Sequence, residues 1–156
     1  MVEIVEPKGS EVTKVVRELF REYADSLAID LSFQRFEEEL AALPGDYAPP
    51  TGRLLLARIA GSTAGCAASR RIDDDACEMK RLYTRPMFRG RGIGRRLAES
   101  IIASAREIGY RKMRLDTLAT MTEAIALYRS LGFRTIETYY DNPIPSAVYL
   151  ELDIRV

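Results

Sequence analysis

A mixed α/β fold, with a central, partly parallel sheet of about six to seven strands and helices on both faces, is predicted for these 156 residues by three observations. Strand-like apolar segments alternate with stretches of helical periodicity. Turn residues at Gly61-Ser62 and Asp73-Asp74-Asp75 suit an antiparallel meander. Between residues 77 and 117 a strand, a glycine-rich loop, an amphipathic helix and a second strand follow one another, the order of a right-handed crossover between parallel strands. A chain of this length fits a single domain, 1–156, that can bury a sizeable core.

The elements follow in order. A short strand at residues 2–6 ends at Pro7, Gly9 and Ser10, and Ser10 is placed to cap a helix. Val12, Val15, Val16, Leu19, Phe20 and Tyr23 then recur at helical spacing, and a second helix is expected over residues 32–43 before Pro44-Gly45 stops it. Residues 54–59, 66–72 and 77–84 read as strands. The helix after the loop presents Leu97, Ile101, Ala105 and Ile108 to the core and ends at Gly109. A strand at 112–117, a helix at 122–131 and strands at 135–140 and 148–154 complete the chain. The last two flank Asn142-Pro143-Ile144-Pro145, where proline cannot donate to a ladder.

Charge excludes several classes of function. Lys plus Arg equals Asp plus Glu at 23 each, which points to neither a nucleic-acid binder nor a membrane-surface protein. The balance hides an asymmetry. Lys80, Arg81, Arg85, Arg89, Arg91, Arg95 and Arg96 crowd one segment without an acid, while Glu18, Glu22, Asp25, Asp30, Glu37, Glu38, Glu39 and Asp46 crowd the N-terminal third. No histidine is present, so no Ser-His-Asp or Cys-His nucleophile can form and no metal is expected. Cys66 and Cys77 lack metal or redox spacing and read as buried small hydrophobes. Without an apolar leader or membrane span, a cytoplasmic protein is expected; its assembly is compatible with a homodimer.

The stretch from Leu82 to Arg95 runs from a strand into a loop with glycines at 90, 92 and 94 that opens a helix. Glycine lets backbone approach a ligand, and unpaired N–H groups and the positive end of the helix dipole attract an anion. A phosphorylated ligand is expected. The dinucleotide pattern G-x-G-x-x-G fails, because its third position is Leu97 counted from Gly92 and Arg95 counted from Gly90; the nucleoside-triphosphate run G-x-x-x-x-G-K-[ST] does not occur. A solvated turn is the plainer alternative, but glycines this dense argue against it.

Arg89, Gly92 and Gly94 match R/Q-x-x-G-x-G/A, and Ala124, Leu127, Tyr128, Leu131, Gly132 and Phe133 match A-x-x-L-Y-x-x-L-G-F. On these residues the chain resembles the GNAT superfamily of N-acetyltransferases, over most of residues 76–133. The resemblance implies the GNAT fold, in which two central parallel strands splay apart, and acetyl-CoA as co-substrate without a metal. It implies that Leu82, Tyr83 and Thr84 meet the pantetheine arm and that Arg89, Gly90, Arg91, Gly92, Ile93, Gly94 and Arg95 hold the pyrophosphate. It also implies that Tyr128 lies near the thioester sulfur, as proton donor, and that Glu78 resembles the glutamate base of histone-acetylating members.

The residues themselves leave other roles open. Tyr128 lies on a helical stripe that would be buried for packing alone, and alternation puts Glu78 beside Lys80 on one face, where an exposed ion pair would contribute under about 1 kcal/mol. The asparagine that family members often carry seven residues before the tyrosine is Met121 here. An aliphatic amine of pKa about 10.4 is neutral only one part in about 2,500 at pH 7, so deprotonation costs about 4.6 kcal/mol and calls for a base. The expected reaction is direct transfer of acetyl to a primary amine of a small molecule or peptide. A non-catalytic acyl-CoA-sensing module on the same fold is the alternative.

Overall fold

The computed structural model describes residues 1–27 and 29–155. Among these, β1 (Val2–Val5), β2 (Arg53–Ile59), β3 (Ser62–Arg71) and β4 (Ala76–Thr84) pair antiparallel in chain order. Next, β4 pairs parallel with β5 (Lys112–Leu118), and β7 (Ala147–Asp153) inserts antiparallel between β5 and β6 (Arg134–Ile136). The result is the mixed, partly parallel sheet of seven strands that the sequence predicts.

Helices cover both faces because the central strands are apolar on both. Along β2, Leu54 and Leu56 enter a core with α2 (Val15–Leu27) and α3 (Phe36–Ala42), while Leu55 and Ala57 enter a second core beneath α4 (Ile93–Ile108) and α5 (Thr122–Ser130). In α4 the expected stripe is fully buried at Leu97, Ile101 and Ala105, and Gly109, at φ 112°, ends the helix. Both cysteines are free and buried, as expected.

Three elements differ from the sequence reading. The helix expected to run on from Ser10 breaks at Lys14, so a four-residue α1 (Ser10–Thr13) precedes α2. The β-branched run Val12, Thr13, Val15 and Val16 propagates a helix weakly. Ser10 lies inside α1 rather than capping it; Gly9 is the cap, without a side-chain bond. Residues 32–43 form a 3₁₀ turn, Ser32–Gln34, and then α3, divided by Arg35 in the left-handed conformation at φ 57°. The strand expected over 135–140 stops at Ile136, since Tyr139 and Tyr140 turn inward onto Glu78 and Asp116 and pack against Tyr149.

The feature that positions the site is a bulge in β4. Cys66 pairs with Tyr83 but Ala68 with Lys80, so one step more is taken on β4 than on β3. Arg81 sits there at φ 61°, a left-handed conformation that costs a non-glycine residue about 1–2 kcal/mol. What holds it is an ion pair: Nε and Nη2 donate to the two Glu39 carboxylate oxygens, each at 3.0 Å, Nη1 donates to Gln34 at 3.0 Å, and the guanidinium lies over the Phe36 ring. The Cys66 thiol donates to the Arg81 carbonyl at 3.3 Å.

Beside this bulge β4 and β5 part. Their parallel register runs only from Ala76 with Lys112 to Glu78 with Arg114, after which each strand continues unpaired with the other. Arg81→Met is expected to destabilise the protein by about 3–5 kcal/mol in urea unfolding, because Glu39 is left as a mostly buried, uncompensated carboxylate. Adding Glu39→Leu to that variant is expected to restore much of the loss. An unchanged deficit in the double variant would show that backbone strain, not the orphaned charge, dominates.

Candidate active site

The wedge between β4 and β5 opens into two connected clefts. The first, about 740 Å³ of open space, lies between the strands and is lined by Met79, Lys80 and Leu82 of β4, Leu115, Asp116 and Thr117 of β5, and Tyr128 of α5. Gln34, Phe33 and Leu31 close it from the α3 side, and Asn142 and Ile144 from the connection between β6 and β7. The second runs outward along β4 to the glycine loop and the start of α4. Tyr23, Leu27, Leu82, Leu118, Met121 and Ala124 belong to both.

The loop is built as a cradle. Gly90 and Gly92 have φ of 80° and 74°, the left-handed region that glycine enters without strain, and Gly92 caps α4 without a side chain to fill the position. The first bond of α4 runs from the Arg96 N–H to the Gly92 carbonyl. The N–H groups just before it therefore lack an intrahelical acceptor, and Gly92, Ile93, Gly94 and Arg95, which carry them, line the outer cleft. A Cβ on Gly94 would meet only Leu127 at 3.7 Å and Thr84 at 3.9 Å, ordinary contacts, so the protein itself does not require glycine there. Leu82, Tyr83, Thr84, Arg89, Gly90, Gly92, Ile93, Gly94 and Arg95 line the outer cleft; Arg91 does not, and lies instead over the Phe88 ring.

The basic segment divides by location. Arg81 pairs with Glu39, Arg85 with Glu18 and Glu22, and Lys80 enters the inner cleft, so only the later arginines surround the loop. Much of the acidic crowding in the N-terminal third is likewise paired, Glu37 with Arg21 and Glu38 with Arg35 in addition to those three.

Tyr128 reaches the inner cleft from α5, its ring edge-on to Phe133 at 5.7 Å. Burial pushes its hydroxyl pKa well above the usual phenol value, so it keeps its proton at neutral pH. Glu78 is placed differently from Tyr128. It is buried, not exposed, and it pairs with Arg70 at 3.0 Å rather than with Lys80. Its other oxygen accepts from the Tyr139 hydroxyl at 2.7 Å, and it does not line either cleft.

A hydrogen-bonded chain not foreseen from the sequence spans the inner cleft. Lys80 Nζ donates to Gln34 Oε1 at 3.1 Å, Gln34 Nε2 to the Tyr140 hydroxyl at 3.4 Å, and that hydroxyl to Asp116 Oδ2 at 2.5 Å. Asn142 Nδ2 donates to Tyr140 at 2.9 Å and to Asp116 at 3.4 Å. Burial, reinforced by the neighbouring Arg81, pushes the Lys80 pKa down to about 8.

Comparisons with known proteins identify the family. A model of the acetyltransferase (GNAT) family matches residues 14–133. The chain belongs to that family and is, with it, an N-acetyltransferase enzyme. An uncharacterized N-acetyltransferase of Schizosaccharomyces pombe is 45% identical over 138 residues, covering 87% of this chain and 85% of that one. One of Dictyostelium discoideum is 34% identical and covers 99% of this chain and all of its own length, 100%. Among solved structures, a GNAT-family acetyltransferase of Staphylococcus aureus shares the fold at TM-score 0.82 and 19% identity, over 99% of this chain and 100% of that one. Another, from Elizabethkingia anophelis, has acetyl-CoA bound, at TM-score 0.71 and 22% identity over 97% of each chain.

Two outcomes are expected. Gly94→Ala should leave stability unchanged or raised by up to about 1 kcal/mol, and Gly94→Asp should abolish the rise in melting temperature that CoA produces. A CoA-induced rise that survives in Gly94→Asp would remove the loop from the site. Between about pH 8 and 10.5 the unfolded chain keeps a proton on Lys80 that the folded chain has lost. Stability relative to Lys80→Met should therefore rise with pH across that window, by at most about 3 kcal/mol. A flat difference in urea unfolding would mean that the ammonium is not desolvated.

Proposed function

We propose that this chain moves an acetyl group from acetyl-CoA directly to a primary amine while both are bound. The observation that carries the reading is the continuity of the two clefts: one groove leads from the glycine cradle along β4 to Tyr128 and Asp116. Acetyl-CoA supplies the thioester carbonyl that the amine attacks. The loop N–H groups with Arg89 and Arg95 bind its pyrophosphate, and the β4 segment from Leu82 to Thr84, unpaired toward β5, offers backbone groups to an extended amide-bearing arm.

The acceptor enters the inner cleft. Tyr128, protonated and walled by apolar groups, gives its proton to the departing sulfur. Glu78, with both oxygens engaged and set behind Tyr139, holds the wall in place. The carboxylate that faces the acceptor space is Asp116, and we assign to it the removal of the amine proton. Its Oδ2 is fixed by Tyr140 and Asn142, which aims Oδ1 as the remaining acceptor.

Free thiol released from acetyl-CoA in the presence of pooled primary amines tests the reading. Tyr128→Phe is expected to lower kcat by about 10²-fold with little change in stability or CoA affinity, and Asp116→Asn to lower kcat/KM by a similar factor, with partial recovery as rising pH deprotonates the amine itself. CoA binding without thiol release from any amine would assign the chain to acyl-CoA sensing instead. Wild-type kcat in Tyr128→Phe, where chemistry limits turnover, would make that tyrosine a packing residue.

A further inference from the structure

Among the described residues, two charges on the inner cleft have no ionic partner, and they stand on opposite walls. Among the described residues, Arg81 pairs with Glu39, Glu78 with Arg70, Arg114 with Glu151 and Arg85 with Glu18 and Glu22. Lys80 on β4 and Asp116 on β5 line the same cleft and pair ionically neither with each other nor with any of these. Lys80 is only 7% exposed, and its ammonium, with three N–H donors, bonds Gln34 Oε1, an acceptor it shares with Arg81. Asp116 uses Oδ2 for Tyr140 and Asn142.

A buried cation is costly when left unmatched, and a half-buried carboxylate stands across the cleft from it. Here they face one space that is otherwise lined mainly by Leu27, Ile29, Leu31, Phe33, Leu115 and Ile144. A ligand that carries one charge of each sign satisfies both. We propose that the acceptor is a zwitterionic amino acid, its carboxylate held by Lys80 with Gln34 as support and its ammonium held by Asp116 on the wall that leads to Tyr128. The proposal rests on the transfer reading above and adds the acceptor class to it.

Other amines fit the same walls less well. A polyamine would set its second cation against Lys80 and Arg81, and a protein N-terminus would offer a neutral amide where Lys80 calls for an anion. A site built to bind a charged group rejects the analogue that lacks it, because its buried donor is left unpaired.

The test uses acetyl-CoA and, as acceptors, the standard amino acids, their carboxamides and their decarboxylated amines, with free thiol as the readout. At least one amino acid is expected to be used about 10²-fold better in kcat/KM than its own carboxamide, and Lys80→Met is expected to bring that ratio to within about threefold by raising KM for the acid. Affinity for CoA should stay as in the native protein, and Lys80→Arg should keep part of the preference. A carboxamide or decarboxylated amine used as well as the acid, or a preference that survives Lys80→Met, overturns the proposal while leaving amine acetylation intact. Should no acceptor release thiol, the transfer reading fails, and calorimetry with CoA present decides this one: tighter binding of an amino acid than of its carboxamide supports it, and equal or absent binding overturns it.

Discussion

The ion pair between Arg81 and Glu39 is the interaction on which the site depends. It ties α3 to β4 at the residue where β4 takes its extra step, and it offsets the left-handed backbone that the step imposes. Because of that step Lys80 and Arg81 both turn toward α3, Leu82 returns to the α4 face and Tyr83 to the α2 face. A regular strand would alternate through all four. The parallel pairing of β4 with β5 ends just before, at Glu78, so the bulge and the parting of the strands together make one wall of the cleft.

Gln34 completes the enclosure. It lies in the short turn before α3, yet its amide bonds Lys80 and Arg81 on one strand and, through Tyr140, reaches Asp116 on the other. A side chain placed this way couples the closing segment to both halves of the split sheet. The network is worth more inside a low-dielectric cleft than on the surface, and it holds Asp116 in one orientation. In the role proposed for it, such an oriented carboxylate would offset part of the about 4.6 kcal/mol that deprotonating an amine costs at neutral pH.

What could be read from the sequence was local. The glycine loop announced itself through spacing, Leu97, Ile101 and Ala105 through helical period, and the meander through its turns; Tyr128 was found through a motif that spans one helix. What escaped was of two kinds. The bulge at Arg81 breaks the two-residue period from which side-chain faces are inferred, so Arg81 could not be placed beside Lys80. The chain from Gln34 through Tyr140 to Asp116 joins residues separated by 106 and 24 positions, and no periodicity reports such contacts. The contrast between a basic segment and an acidic N-terminal third was real in composition, but folding turns much of it into pairs such as Arg85 with Glu22.

The central claim is that the parted edge of β4 and the glycine cradle form one binding surface. Amide hydrogen exchange, followed residue by residue with and without acetyl-CoA, tests it most directly. The account predicts slowed exchange at residues 82–84, 90 and 92–95 together, with β1 and β2 unchanged, because only the former lie along the groove. Protection confined to the loop, with residues 82–84 exchanging as before, would contradict it.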